Sequence, residues 1–442
     1  MLRESFLQHF AGITDRRQEG KISHPLMSVL FIAVASYVAF CDEWELTILW
    51  AEKNIDWLKQ HVDLPHGIPS EITFYRIFRA IDPKEFERRF IGWASQLAHW
   101  HAGQTVPIDG KTLCGAKENP GEKSPFHIVR AWASENNLML GFVRTEAKSN
   151  EITAIPELLK LLSIEGDVVT IDAMGAQTEI AKQIVEGNHA DYVLSLKGNQ
   201  PSMHNDTVLF FTDVDLKRTD SKSIESTADS QKIIREADND VTVSVPNDTV
   251  KAAAERIYQH FASTNTQVLP NNKLPVFAEH DYQFYKTRDL GHGRIENRLF
   301  FLVADVSWLN RHNEWSGLKS VGMVITHTVE KKTGNKSIDC RFFISSLDEV
   351  YKFAKSVREH WGIEVSHNIL DVTFCEDNKR THKENGALNN AAVRRIAINL
   401  LNVERDQFKR DHPKKTITYR ALRYQASLDT SFLEKVMIDN LL

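Results

Sequence analysis

The spacing of hydrophobic positions changes twice along this chain. Up to about residue 100 they recur at helical intervals, through Leu26–Phe40 and Trp44–Leu58, with few turn residues before LPHGIPS. The most apolar stretch, Leu30–Cys41, is too short at about 1.5 Å per residue to cross a bilayer, so it predicts a buried helix. Ser70, with Glu71 behind it, predicts the start of a helix through ITFYRIFRAI. Helix, short Gly/Pro turn and helix suit a DNA-binding helix-turn-helix, and also a helical packing hairpin.

Beyond residue 104 the pattern shortens to strand-length runs. Val106–Asp109, Phe126–Ser134, Leu138–Thr145, Asp167–Asp172 and Asp191–Leu196 are rich in Val, Ile and Leu, with helical stretches at Ile152–Leu162 and Gln177–Glu186. Three strands, helix, strand, helix, strand is an α/β layer arrangement and matches the element order of an RNase H-like mixed-sheet core. From 213 to about 280 large apolar groups become scarce, which predicts a partly flexible insertion with a short helix near Lys251–Phe261. Strand-like runs return at Arg298–Val303, Gly322–Val329 and Cys340–Ser345. A long amphipathic helix is predicted from near Leu347. The expected organisation is a helical N-terminal domain (1–100), the first part of the core (101–212), an insertion that becomes β-rich (213–345), and a Glu-bearing helix with a helical C-terminal region (346–442).

Composition narrows the picture. With 42% hydrophobic residues among 442, the chain can bury a substantial core. The net charge of −5 means that any nucleic-acid binding must rest on local basic patches. The four cysteines are scattered, which argues against a zinc ribbon and fits a reducing compartment. The N-terminus carries charges and no apolar stretch ending in a cleavage site, so no secretory signal is expected.

Asp109 ends the run VPID before Gly-Lys, and Asp172 ends DVVTID before Ala-Met-Gly. Carboxylates at strand ends lie where α/β sheets place ligands, and paired acids suit hard divalent cations. Glu364 follows much later on the predicted helix, flanked by His360, Trp361 and His367. Asp371 lies near the same helical face and competes with it. Strand-end aspartates are often turn residues, and Trp361 reads first as a core side chain.

The segments IDGKTLCGA, TIDAMGAQTEIAKQIVEGNHADYVLSLKGNQPSMH, GHGRIENR, FFISSL and REHWGIEVSHNILDVTFCED occur in one order. Together they closely resemble the H-repeat-associated group of bacterial insertion-sequence DDE transposases. SFLQHFAGITDRR, HPL and LPHGIPSEITFYRIFRAIDP are similar to that family's N-terminal domain.

The resemblance implies an RNase H-like fold and a DNA transposase that cuts element ends and joins the freed 3′-hydroxyl to target DNA. It implies Asp109, Asp172 and Glu364 as catalytic and metal-holding acids, with two Mg²⁺ (or Mn²⁺) ions per site. Lys111, Lys197, Arg294, Arg298, Arg358 and Arg380 are the candidate phosphate contacts. A second basic patch is Lys409, Arg410, Lys414, Lys415, Arg420 and Arg423. The expected partners are double-stranded DNA, both terminal inverted repeats and target, and a second copy of the chain, without a membrane. The expected location is the bacterial cytoplasm, at the nucleoid.

The chain departs from the family pattern in three places. IEV replaces IEN with seven rather than eight residues from Glu364 to Asp371, Cys114 replaces an arginine, and the 213–280 insertion is long. The shortened spacing keeps alternatives open: a repurposed or inactive DNA-binding relative, or a Mg²⁺-dependent nuclease without strand transfer.

Overall fold

The computed structural model describes residues 9–97, 103–114, 127–145, 151–212, 247–263, 277, 280–291, 293–379 and 385–438. The chain forms two compact units, residues 1–165 with 360–442, and residues 166–359.

The first unit opens with helices α1 (Leu26–Val38), α2 (Trp44–Lys53), α3 (Ile55–His61), α4 (Glu71–Ala80) and α5 (Pro83–Leu97). The apolar stretch noted above lies largely in α1, where every residue from Ser28 to Val38 is buried. Its two serines are satisfied internally: Ser28 Oγ donates to Asp63 O at 2.7 Å and Ser36 Oγ to Ala33 O at 2.9 Å. Ser70 stands before α4 as expected, but its hydroxyl meets Thr73 Oγ1 at 3.0 Å and caps no backbone N–H.

Three antiparallel strands follow in the order β3-β2-β1: β1 (Thr105–Thr112), β2 (His127–Ala133) and β3 (Leu138–Arg144). Most of β2 and β3 is buried without alternation, so both read as unbroken apolar runs. Helix α6 (Glu151–Leu159) comes next. One expectation fails here. Asp109 does not end β1; it lies inside the strand opposite Arg130, with Gly110, Lys111 and Thr112 continuing the pairing with β2. Gly110 permits the continuation because it has no side chain: a Cβ there would run into Glu151 and His127, which bond each other over it at 2.7 Å. Gly110→Ala should therefore cost about 1–3 kcal/mol. Urea denaturation checks this, and an unchanged midpoint would show that the His127–Glu151 pair yields freely.

The second unit comprises β4 (Val168–Ile171), α7 (Thr178–Lys182), β5 (Asp191–Leu196), α8 (Pro201–Thr212), α9 (Asn247–Ser263), β6 (Tyr282–Gly291), β7 (Arg294–Val303), β8 (Ser320–Glu330), β9 (Lys336–Ser345) and α10 (Val350–Glu359). Its strands lie in the order β4-β5-β9-β8-β7-β6, with β4 and β5 parallel and the remaining pairs antiparallel. Val168, Val193, Phe300, Val324, Phe343 and Phe353 build one apolar cluster on this sheet. The helix expected over Gln177–Glu186 is a short α-turn that widens into a π-turn at Gln183–Gly187. Of the expected 213–280 insertion, residues 247–263, 277 and 280 lie within the described residues.

The chain then returns to the first unit through α11 (Trp361–Thr373), α12 (Gly386–Asp411), α13 (Tyr419–Leu428) and α14 (Thr430–Met437). The long helix predicted from Leu347 is thus two helices, α10 and α11, with the break at His360. Gly362, a poor helix former, sits in the first turn beyond the break. Helix α12 is the spine of this unit and packs on α1, α4, α5 and β3. Its asparagines tie it to neighbouring backbone. Asn399 both accepts from Met139 N at 2.8 Å and donates to Met139 O at 2.9 Å, beside the bulge in the β2–β3 pairing. Among the described residues no helix is long and apolar enough to cross a membrane.

Candidate active site

Within the first unit, β1 and α11 bring three polar side chains together. On a strand every second side chain shares a face, so Asp109 and Lys111 point the same way. On a helix, positions three and seven apart share a face, which aligns Glu364, His367 and Asp371. His367 Nδ1 lies 3.6 Å from Asp109 Oδ2 and 3.8 Å from Glu364 Oε2. One ligand atom from each of the three lies within 4.8 Å of the others. The His367 and Asp109 side chains are 12% and 21% exposed and that of Glu364 is 49% exposed, so the cluster opens to solvent on its glutamate side.

The donor set fits a divalent cation. Two carboxylates suit Mg²⁺ or Mn²⁺, and an imidazole adds a nitrogen that Mn²⁺ accepts more readily than Mg²⁺. Burial, followed by the positive fields of Arg130, Lys111 and Arg395, holds the His367 pKa down at about 2. The ring is therefore neutral and leaves the negative charge of the two acids uncompensated by its own.

A buried charge network lies beside these three residues. Arg130 is fully buried, and none of its guanidinium nitrogens has a hydrogen-bond partner among the described residues. Burial and neighbouring Arg395 pull its pKa to about 9, against the opposing fields of Glu376, Asp109 and Asp377. Glu376 Oε1 accepts from Arg394 Nε at 3.0 Å and Arg395 Nη1 at 3.1 Å. Burial alone would raise the Glu376 pKa, but Arg395, Arg394, Arg130 and Lys111 together hold it well below the usual carboxylate range. The sequence reading missed Arg130, Glu376 and Arg395. It named His367 only as a neighbour, although an acid and a histidine three apart on a helix are a known ligand pairing.

Lys111, a candidate phosphate contact, is engaged within the protein. It forms an ion pair with Asp371, lies 3.9 Å from Asp377, and its side chain is only 10% exposed. Burial lowers its pKa to about 8, so at neutral pH it is still mostly the cation its partners require. Asp371 is thereby engaged by Lys111, while Glu364 faces Asp109.

Asp172 belongs to the second unit. It ends β4 as expected and caps the turn Ala173–Gly175, its Oδ1 accepting from Met174 N at 3.0 Å. In the same unit Arg298 is engaged by Asp289 and by Glu296, and Arg358 reaches Asp289 at 3.1 Å. Arg298 is only partly exposed, whereas Arg358, Lys197 and Arg294 are exposed. Arg380 lies outside the described residues.

Two further residues depart from expectation. Arg423, placed in a basic patch, is buried and donates to Tyr37 O while stacking on Phe374 at 4.2 Å. Trp361, read first as a core residue, is 64% exposed at the start of α11. The first turn of a helix whose buried face is set by Ile363 and Ser366 leaves Trp361 on the solvent side.

The chain matches the family described as Transposase DDE domain across residues 79–400, and the DDE_Tnp_1-associated family across residues 7–94. It is 32% identical to a putative transposase, YncI, of Escherichia coli O157:H7, over 98% of this chain and 94% of the relative. It is 28% identical to the H repeat-associated putative transposase YhhI of Escherichia coli K12, over 98% of each chain.

Proposed function

Because the chain belongs to the DDE transposases of the H-repeat group, we propose that it cuts the ends of an insertion sequence and joins them to target DNA. The observation that carries this reading is the convergence of Asp109, Glu364 and His367 from β1 and α11. Asp172 is the further catalytic acid that membership of this family implies, and Mg²⁺ or Mn²⁺ is the cofactor that it implies. Asp109 and Glu364, with His367 beside them, would hold such an ion. Such ions, when bound, supply positive charge at a phosphodiester and acidify a coordinated water.

The chain's own residues position and orient. Asp109 sits on a paired strand, so its carboxylate is held without loop motion. Neutral His367 offers Nδ1 towards both neighbouring acids without repelling a cation. The exposed Lys197 and Arg294 are proposed to contact backbone phosphates, which fix register without reading sequence. Three antiparallel strands, a helix and a parallel pair support an RNase H-like core. Joining two element ends calls for two active sites, and so for a homodimer on DNA.

Trp361, exposed three residues before Glu364, presents a ring on which an unpaired base can stack. Trp361→Ala should weaken binding to DNA with unpaired end bases by about 1–3 kcal/mol and leave fully paired duplex binding nearly unchanged. Fluorescence anisotropy with the two substrates checks this; equal losses on both would rule out stacking.

The test of the whole reading uses duplex DNA carrying the inverted repeats that flank the coding region. With Mg²⁺ the protein should nick at the repeat boundary and join that end to a target plasmid, and chelation should stop both. Nicking without joined product would point to a nuclease. Salt-dependent binding without cleavage would point to a repurposed relative, the reading that the seven-residue Glu364–Asp371 spacing favours.

A further inference from the structure

Strand β1 and helix α11 meet at two places. Asp109 faces Glu364 and His367, and two residues along the strand Lys111 pairs with Asp371, seven residues along the helix. We propose that the Lys111–Asp371 ion pair is a positioning device, holding α11 on β1 in the register that brings Glu364 and His367 to Asp109 before any cation binds. This rests on the metal-site reading given above.

The geometry supports the role. Asp109 and Lys111 are about 6.7 Å apart along the strand, and Glu364 and Asp371 are about 10.5 Å apart along the helix. A single crossing contact would leave the helix free to pivot or slide. Two contacts from one strand face to one helix face fix both its rotation and its translation.

The electrostatics point the same way. Asp109 and Glu364 repel each other when no cation lies between them, and that repulsion drives strand and helix apart. Lys111 and Asp371 attract across the same pair of elements and offset it. The pair is also sheltered. The Lys111 side chain is 10% exposed and that of Asp371 is 32% exposed, so solvent screens them less than a surface bridge. Asp377, in the turn after α11, adds a second carboxylate at 3.9 Å. A buried ammonium needs such partners, and their placement keeps it beside the helix rather than reaching for DNA.

An ordinary stabilising bridge would produce the same contact, so the test must read position. The full-length protein is titrated with Mn²⁺ and followed by electron paramagnetic resonance, using wild type, Asp109→Asn, Lys111→Met, Asp371→Leu and the double variant Lys111→Met/Asp371→Leu. The apolar double variant keeps the packed volume and avoids a lone buried charge. Asp109→Asn should lose Mn²⁺ binding. Lys111→Met and Asp371→Leu should each bind roughly 10-fold more weakly than wild type, and the double variant should be no worse than either single, because both remove one interaction.

Hydrogen exchange without metal reads the device independently. Amides of Trp361–Thr373 should exchange faster in the three variants that break the Lys111–Asp371 pair, while those of α12 keep their protection. Unchanged exchange in α11 overturns the proposal, whatever Mn²⁺ does. So does Mn²⁺ affinity equal to wild type in Lys111→Met while Asp109→Asn has lost it. If Lys111→Met instead lowers the salt slope of DNA binding by about one with Mn²⁺ binding intact, Lys111 is a phosphate contact and the proposal fails. Wild type that binds no Mn²⁺ while α11 exchange still responds would defeat the metal-site reading and leave the clamp standing.

Discussion

Asp109→Asn should abolish DNA cleavage, by on the order of 10³-fold or more, while leaving the fold and DNA binding in place. Asparagine matches the shape of aspartate and removes its charge. The charge matters because Asp109 is the less exposed of the cluster's two carboxylates, with Glu364 and His367 both approaching from α11. Its loss leaves one carboxylate, on the open side, to hold a cation in this unit. The fold should survive because Arg130, opposite Asp109 in the β1–β2 register, is also balanced by Glu376 and Asp377. DNA binding should survive because phosphate affinity resides in exposed cations, not in the acids. Cleavage of inverted-repeat DNA, anisotropy across a salt series and urea denaturation are the three measurements. Near wild-type cleavage would remove Asp109 from the site. Lost cleavage together with lost stability would make Asp109 a structural partner of Arg130.

Much of this architecture is legible in the sequence because burial writes itself into residue type. Strands β1 to β5 stand out as short runs of Val, Ile and Leu, and α1 as an apolar stretch with nowhere to go but inside. Asp109 and Asp172 end two of those runs, so both could be nominated from pattern. Their details were less legible. A Gly-Lys pair after an aspartate looks like a turn, yet Gly110 continues the strand because His127 and Glu151 pack over its bare backbone. The segment from Leu347 through Leu370 keeps helical periodicity across His360, and periodicity alone does not register a break that short. Trp361 shows the opposite limit: tryptophan is usually buried, and only the orientation of α11 exposes it. The charge network was invisible for a different reason. Lys111 meets Asp371 across 260 residues, and Arg394 and Arg395 reach back to Glu376 across 18 and 19. Each reads locally as a surface charge, and only the fold turns it inward.

Glu376→Gln should be the most destabilising single change in that network, at about 3–5 kcal/mol at neutral pH. Glu376 is completely buried and serves two arginines through one oxygen. Glutamine keeps an acceptor and removes the charge, leaving Arg394 and Arg395 buried with Arg130 nearby. The loss should depend on pH in a defined direction. The wild-type carboxyl is held well below the usual carboxylate range when folded, by Arg395 first and then Arg394, Arg130 and Lys111, against the opposing effect of burial. In the unfolded chain it returns to about 4.3. A depressed folded pKa gives stability that is fully present above the unfolded value and lost as pH falls through it towards the folded one. The gap between wild type and Glu376→Gln should therefore be constant above about pH 5 and close progressively below about pH 4. Urea unfolding midpoints across that range check it, and a gap that stays open in acid would mean that packing, not charge, sets the cost. The effect should also reach the Asp109–Glu364–His367 cluster. Arg395 lies over the Phe142 ring at 5.1 Å and beside Arg130, so loosening it disturbs β3 and the strand that faces Asp109. The folded fraction of Glu376→Gln should accordingly bind Mn²⁺ more weakly than wild type, although Glu376 is no member of the ligand cluster.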